Sequence, residues 1–134
     1  MKRTLLFCVL IVFFTISFVS LVGCDSFDQK KKLKEEYELQ EKCSKRCEGW
    51  FKKEYEGQKC FYKNHYNRKM NKCLILIYCN EGEVSNELLF DVNEHNRIGG
   101  FSYFTEGSVM CSMLGKECKS KSEWEKLVKP YMEE

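Results

Sequence analysis

The chain has 134 residues, of which 22 are Lys or Arg and 20 are Asp or Glu, so its formal net charge is only +2. This near balance excludes the strongly basic composition of nucleic-acid-binding domains, and we predict no nucleic-acid partner. Nine cysteines are many for this length and are typical of small exported domains stapled by disulfides.

The first residues have the plan of a secretory signal. Lys2 and Arg3 precede an apolar segment from Leu5 to Val22, and a small residue precedes Cys24. The sequence Leu21-Val22-Gly23-Cys24 resembles the lipobox of bacterial lipoproteins. An uncleaved helical anchor is the alternative, because about 18 apolar residues can just span a bilayer.

The lipobox resemblance implies that residues 1–23 are removed and that Cys24 carries a diacylglyceryl lipid. The lipid would hold the protein to a membrane on the exported side of the bacterial envelope. Asp25, directly after Cys24, favours the inner over the outer membrane. Without residues 1–23 the chain has 20 basic and 20 acidic residues, and it is long enough for one domain only.

The predicted elements of the exported part indicate an α+β fold. Residues 24–32 are polar and are predicted to be a tether, and 33–134 are predicted to be a single domain. Apolar residues recur three or four apart from Leu33 to about Tyr55, which predicts an amphipathic helix that stops near Gly57.

Strand-like segments follow the helix, with short polar breaks between them. Because connections this short join antiparallel neighbours only, we predict a three- to four-stranded antiparallel meander with helices on one face. The segments are 60–66, 73–79, 87–92, 98–105 and 109–114. A short C-terminal helix should begin at a capping box of Ser122 and Glu125 and weaken at Pro130.

Seven cysteines remain after Cys8 and Cys24 are set aside. Cys43 and Cys47 lie one helical turn apart, whereas Cys73 and Cys79 lie about 20 Å apart along one strand, so the helical pair cannot bond to both. We predict one helix-to-strand bridge, Cys47 to Cys73. A hairpin brings Cys60 to Cys79, and Cys111 and Cys118 close a local loop around Gly115. Cys43, or its neighbour Cys47, is then the free thiol.

The segment from His65 to Cys73 is the most distinctive in the chain. It is similar to a His-Tyr-Asn-x-Lys-x-x-Lys-Cys segment of small exported bacterial proteins, a resemblance that implies no activity. Asn67 and Asn71 suit turn conformations, so a structural hairpin is the main interpretation. A ligand-contacting loop formed by His65, Tyr66 and Asn67 is the alternative.

No recognised catalytic pattern accompanies these features. Cys43-x3-Cys47 lacks the two-residue spacing of thioredoxin-like motifs, and only two histidines could supplement cysteine in a zinc site, so we predict no metal and no cofactor. Asp91 and Glu94 border a turn and are predicted to be solvated.

We expect a membrane-anchored envelope lipoprotein that is not an enzyme but a binding or accessory module with an envelope protein as partner. Binding predicts an exposed aromatic patch drawn from Phe61, Tyr62, Tyr66, Phe101, Tyr103 and Phe104. The alternative is an exported hydrolase or thiol-redox enzyme with an unfamiliar site. That alternative predicts a pocket that gathers His65 or His95 with a thiol or carboxylates.

Overall fold

The fold is described from a computed structural model, which covers the backbone of residues 2–133 and the side chains of residues 27–133. It divides into two compact units, residues 1–37 and residues 38–134. The second unit holds the end of the first helix, all the strands and the second helix. In chain order the elements are α1 (Lys2–Tyr55), β1 (Cys60–Asn67), β2 (Lys72–Glu81), β3 (Val84–Asp91), β4 (Asn96–Phe104), β5 (Val109–Met113), β6 (Lys116–Glu117) and α2 (Lys121–Met132). This content confirms the α+β class.

The sheet is an antiparallel meander in which each strand pairs with the next, in the order β1 to β6. The predicted count of three to four strands is too low. Short turns bring every strand-like segment directly beside its predecessor, so all five pair. The sixth strand has only two residues and follows a tight turn in which Leu114 and Gly115 both have positive φ, which no periodic pattern reveals.

Strand β2 is buried on both faces. Because side chains alternate across a strand, its apolar run places Cys73, Ile75, Ile77 and Cys79 on one face and Leu74 and Leu76 on the other. The first set packs against α1, and the second packs against α2. The prediction that the helices share one face is therefore wrong, and β2 is the middle layer of a helix–sheet–helix stack.

Helix α1 begins at Lys2 rather than at Leu33, so the predicted tether is helical. Its residues from 25 onward are rich in Lys, Glu and Gln, and no Gly or Pro interrupts them before Gly49. The predicted apolar stripe is only partly buried, because Leu33 is 54% and Tyr37 70% exposed. Helix α1 ends at Tyr55, and Gly57 has a φ of 78°, which fits the predicted stop.

The predicted signal and lipidation site lie outside the residues whose side chains are described. This applies to residues 1–23 and to Cys24. Within the part of the chain whose side chains are described, no helix is both long and apolar enough to cross a bilayer.

Helix α2 begins two residues earlier than predicted. The sequence from Ser120 to Glu125 contains two overlapping Ser-x-x-Glu patterns, and the first one caps the helix. Ser120 has an extended backbone, and its side chain accepts a hydrogen bond from the Glu123 amide. The helix also continues past Pro130 to Met132, where the predicted weakening is not seen.

Candidate functional site

Three sulfur atoms meet where α1 crosses the first residues of β2. Cys43 and Cys73 form a disulfide with Cα atoms 5.3 Å apart, and Cys47 is the free thiol. The Cys47 sulfur lies 3.5 Å from the Cys73 sulfur and 3.9 Å from the Cys43 sulfur. All three residues are at most 3% exposed. We call this group the sulfur cluster.

In the sulfur cluster, Cys43 forms the helix-to-strand bridge, and the free thiol is Cys47, which was the alternative to Cys43. The predicted Cys47–Cys73 bridge is wrong, because the turn of α1 that contains Cys43 lies directly over Cys73. The Cys73 sulfur lies 3.4 Å from the carbonyl oxygen of Cys43, whereas the Cys47 sulfur lies 3.7 Å from the carbonyl oxygen of Leu74. Sequence spacing places both helical cysteines near β2 but cannot distinguish which one bonds.

The Cys47 thiol is not poised as a nucleophile. Burial raises its pKa to about 12, although the Arg46 charge acts in the opposite direction. Thiol–disulfide exchange requires the attacking sulfur to lie in line with the S–S bond. If Cys47 attacked Cys73 from its distance of 3.5 Å, its sulfur would lie about 5.5 Å from the Cys43 sulfur, because the S–S bond adds about 2.05 Å. The observed 3.9 Å places Cys47 beside the bond instead.

The other two disulfides join the predicted pairs. Cys60 and Cys79 lie directly opposite each other in the β1–β2 register, with Cα atoms 4.2 Å apart. Cys111 and Cys118, whose Cα atoms are 5.0 Å apart, connect β5 to the segment after β6. Each bridge fastens one end of the meander.

The His65–Asn67 segment is the last part of β1, and its members serve different neighbours. Asn67 is fully buried, donates to the Pro130 and Tyr131 carbonyls at 2.9 and 3.2 Å, and accepts from the Met70 amide. It therefore caps the end of α2 and shapes the β1–β2 turn. The Tyr66 hydroxyl donates to Asn71 across the same turn. These contacts favour the structural interpretation of this segment over a ligand-contacting loop.

Neither histidine shares a site with the free thiol. His65 is paired with Leu74, on the face of the sheet that α2 covers, whereas the sulfur cluster lies on the α1 face. His95 is in the exposed β3–β4 turn with a φ of 50°. The thiol–histidine pairing expected of a cysteine hydrolase is therefore not formed.

The predicted surface carboxylate pair is partly buried. Asp91 is 1% exposed, not solvated, and binds Lys72 Nζ at 2.6 Å and the Asn93 amide at 2.9 Å. Lys72 also contacts Glu94 at 3.1 Å. These hydrogen bonds, the one to Asp91 first, raise the pKa of Lys72. The group holds the β1–β2 and β3–β4 turns together.

The six candidate aromatic residues do not form one patch. Phe61 and Tyr103 are exposed, at 62% and 46%, but they lie on β1 and β4, three strands apart. Phe101 is buried against Trp124, with ring centroids 6.4 Å apart. The other three, Tyr62, Tyr66 and Phe104, are half-buried.

A cleft lies instead on the α1 face of the sheet, beyond the part that α1 covers. The packing of α1 on this face reaches Leu88 and Phe90 of β3, and β4 and β5 continue outside it. A cavity of about 390 Å³ opens there. We call it the β4–β5 cleft. Its lining includes Arg97, Gly100, Ser102, Met110, Ser112 and Glu117.

Two charged residues, Arg97 and Glu117, line the β4–β5 cleft, and Arg97 is the basic one. Its Nε donates to the Gly99 carbonyl at 3.4 Å, and its guanidinium lies over the Cα of Gly100 and beside Leu88. Among the described residues, no carboxylate forms a salt bridge with it. The guanidinium thus lies against the exposed sheet face at Gly100, where a carboxylate could bind to it through two hydrogen bonds.

Sequence reasoning missed the β4–β5 cleft, although two adjacent glycines in a strand were a usable signal. Glycine inside a strand marks a place where another group approaches the backbone closely. Gly99 makes room for Trp124 on one face, and Gly100 makes room for Arg97 on the other.

The chain was compared with protein-family models, with curated proteins and with solved structures, and none of the three comparisons found a match.

Proposed function

We propose that this chain is a membrane-anchored envelope lipoprotein whose folded part is a non-catalytic binding module. The β4–β5 cleft is its contact surface, and an extended polypeptide segment with an acidic side chain is its partner. The single observation that carries the proposal is the guanidinium of Arg97, which lies on an uncovered sheet face and forms no salt bridge with any described carboxylate. Arginine binds carboxylates through two parallel hydrogen bonds, so an acidic side chain suits it best.

A polypeptide fits the cleft better than a small molecule because a free sheet edge adjoins it. One side of β5 pairs with β4. On its other side, β6 pairs only with Ser112 and Met113, so Val109 and Met110 have no strand partner on that side. An exposed edge can accept an added strand from a partner chain. Met110, which is 66% exposed, supplies an apolar contact beside that edge.

The sulfur cluster supports binding over thiol-redox catalysis. A catalytic thiol needs a low pKa and access to its target, whereas Cys47 is buried, has a raised pKa and lies off the axis of the neighbouring disulfide. The three disulfides of the described residues instead suit a surface that is preorganised for a partner.

Site-specific photocrosslinking in bacterial cells tests the contact surface. A photoreactive residue at Ser112, in the cleft, should yield an adduct with one envelope protein, and the matched probe at Glu125, exposed on α2, should not. The adduct should disappear in Arg97→Ala and persist in Arg46→Ala, which removes an arginine elsewhere. Equal adducts from both probes, or no adduct from Ser112, would contradict this surface.

Metabolic labelling with a fatty-acid analogue tests the anchor. The wild-type protein should carry the label and sediment with membranes, and Cys24→Ala should lose the label and accumulate as the longer precursor. Unchanged processing and unchanged membrane attachment in Cys24→Ala would favour the uncleaved anchor.

A further inference from the structure

We propose that the sulfur cluster, once its disulfide is reduced, binds one thiophilic metal ion through Cys43, Cys47 and Cys73. The three sulfurs already lie within 4.8 Å of one another. This site is independent of the β4–β5 cleft, which lies on other strands.

The spacing of the sulfurs suits a shared metal. Metal–thiolate bonds of about 2.3 Å in a three-coordinate site separate the sulfurs by about 4 Å. Cys47 is already 3.5 and 3.9 Å from its two neighbours. Only the bonded pair, Cys43 and Cys73, must separate, and both residues sit on regular elements that keep them together.

The surroundings select a soft ion. Among residues 27–133, no histidine or carboxylate joins this group as a further ligand. Hard cations need oxygen ligands, and structural zinc usually takes four ligands, whereas thiolate-only sites select ions such as Cu(I).

The chemistry balances with a dithiol as reductant. The dithiol gives two electrons and two protons to the Cys43–Cys73 bond and becomes a cyclic disulfide, which leaves three thiols in the cluster. Metal binding then displaces the proton of each sulfur that coordinates, and the protons go to solvent. The third thiol, Cys47, distinguishes this bridge from the other two, which lack a free thiol beside them in the described structure.

The test uses the full chain in mild detergent, reduced by a phosphine without oxygen and titrated with Cu(I) against a competing chelator. The wild-type protein should bind one Cu(I) tightly, and X-ray absorption should show three sulfur neighbours at about 2.3 Å. Cys47→Ala should bind at least about tenfold more weakly, since even outer-shell changes at metal sites cost that much. The control Cys111→Ala removes a sulfur elsewhere and should match the wild type.

Several results would overturn the metal site. These are equal affinity in Cys47→Ala, two sulfurs or nitrogen and oxygen ligands in the wild-type spectrum, or equal binding by the oxidised protein. Loss of the β-sheet circular dichroism signal on reduction would also refute it, because the reduced site would not exist. The wild-type spectrum decides the ligand count even if Cys47→Ala fails to fold.

Discussion

Gly99 and Gly100 are adjacent and both buried, yet the structure predicts opposite outcomes when each becomes alanine. A Cβ at Gly99 would lie 2.8 Å from the Ser112 carbonyl oxygen and 3.1 Å from both the Met113 Cα and the Trp124 ring. Two of these neighbours are backbone atoms of β5, which cannot move without disturbing the β4–β5 pairing. Overpacking of this kind costs about 1–3 kcal/mol.

A Cβ at Gly100 would instead overlap the guanidinium of Arg97, the far end of a flexible exposed side chain. The side chain can swing into solvent, so the free energy of unfolding should change by less than about 0.5 kcal/mol. A small gain is allowed, because alanine restricts the unfolded chain more than glycine does. Gly100→Ala should therefore keep the fold and displace the group that we assign to partner binding.

Urea denaturation of the full chain in mild detergent, followed by circular dichroism, measures both variants. Gly99→Ala should shift the midpoint down strongly and lower Tm by roughly 4–8 °C for each kcal/mol lost. Gly100→Ala should match the wild type. Equal destabilisation of the two variants, or a larger loss in Gly100→Ala, would refute the two-sided assignment of this strand.

Other substitutions test the buried groups. Burial raises the pKa of Cys47 to about 12 from about 8.5 in the unfolded chain, so the unfolded state loses this proton first as pH rises. The stability that this thiol contributes is therefore complete below about pH 8.5 and is lost toward pH 12, by at most about 1.4 kcal/mol per pH unit. Denaturation curves measured between pH 8 and 10 should show a smaller decline in the free energy of unfolding for Cys47→Ala than for the wild type. Asn67→Ala leaves two carbonyls at the end of α2 without their donor, and we expect a loss of about 1–3 kcal/mol in urea denaturation, where no loss would contradict its capping role. Lys72→Met leaves the buried Asp91 carboxylate without its ion-pair partner and should lower the free energy of unfolding by about 1–3 kcal/mol, less than for a fully buried pair because Lys72 is partly solvated. Glu94→Gln, which removes the exposed contact, should lower it by under about 1 kcal/mol. Equal losses would show that the burial of Asp91 does not make its contact with Lys72 the stronger one.

The local pattern predicted the strands well because it depends on neighbours along the chain. Alternation and short polar breaks located the strands, and the hairpin geometry paired Cys60 with Cys79. The capping of α2 shows the limit of such patterns. Two overlapping Ser-x-x-Glu sequences are equally good capping boxes by pattern, and only the packed position of the helix determines that Ser120 is the N-cap.

The features that escaped prediction depend on contacts between distant segments. Whether Cys43 or Cys47 bonds to Cys73 depends on how far α1 slides along β2, a shift of one helical turn that sequence spacing does not encode. The β4–β5 cleft exists because α1 stops short of β4, so its lining could not be listed before the helix was placed. The sequence around Arg97 does not single it out, because only the folded strand places its guanidinium against Gly100.

The central claim, that the β4–β5 cleft binds an acidic polypeptide through Arg97, is tested most directly by nuclear magnetic resonance titration of the full chain in detergent micelles. A glutamate-rich peptide should shift the backbone amides of Ser102, Met110 and Ser112 and leave those of α2 unchanged, and the shifts should vanish in Arg97→Ala and for a lysine-rich peptide. Absence of shifts in the cleft, or equal shifts from both peptides, would contradict the claim.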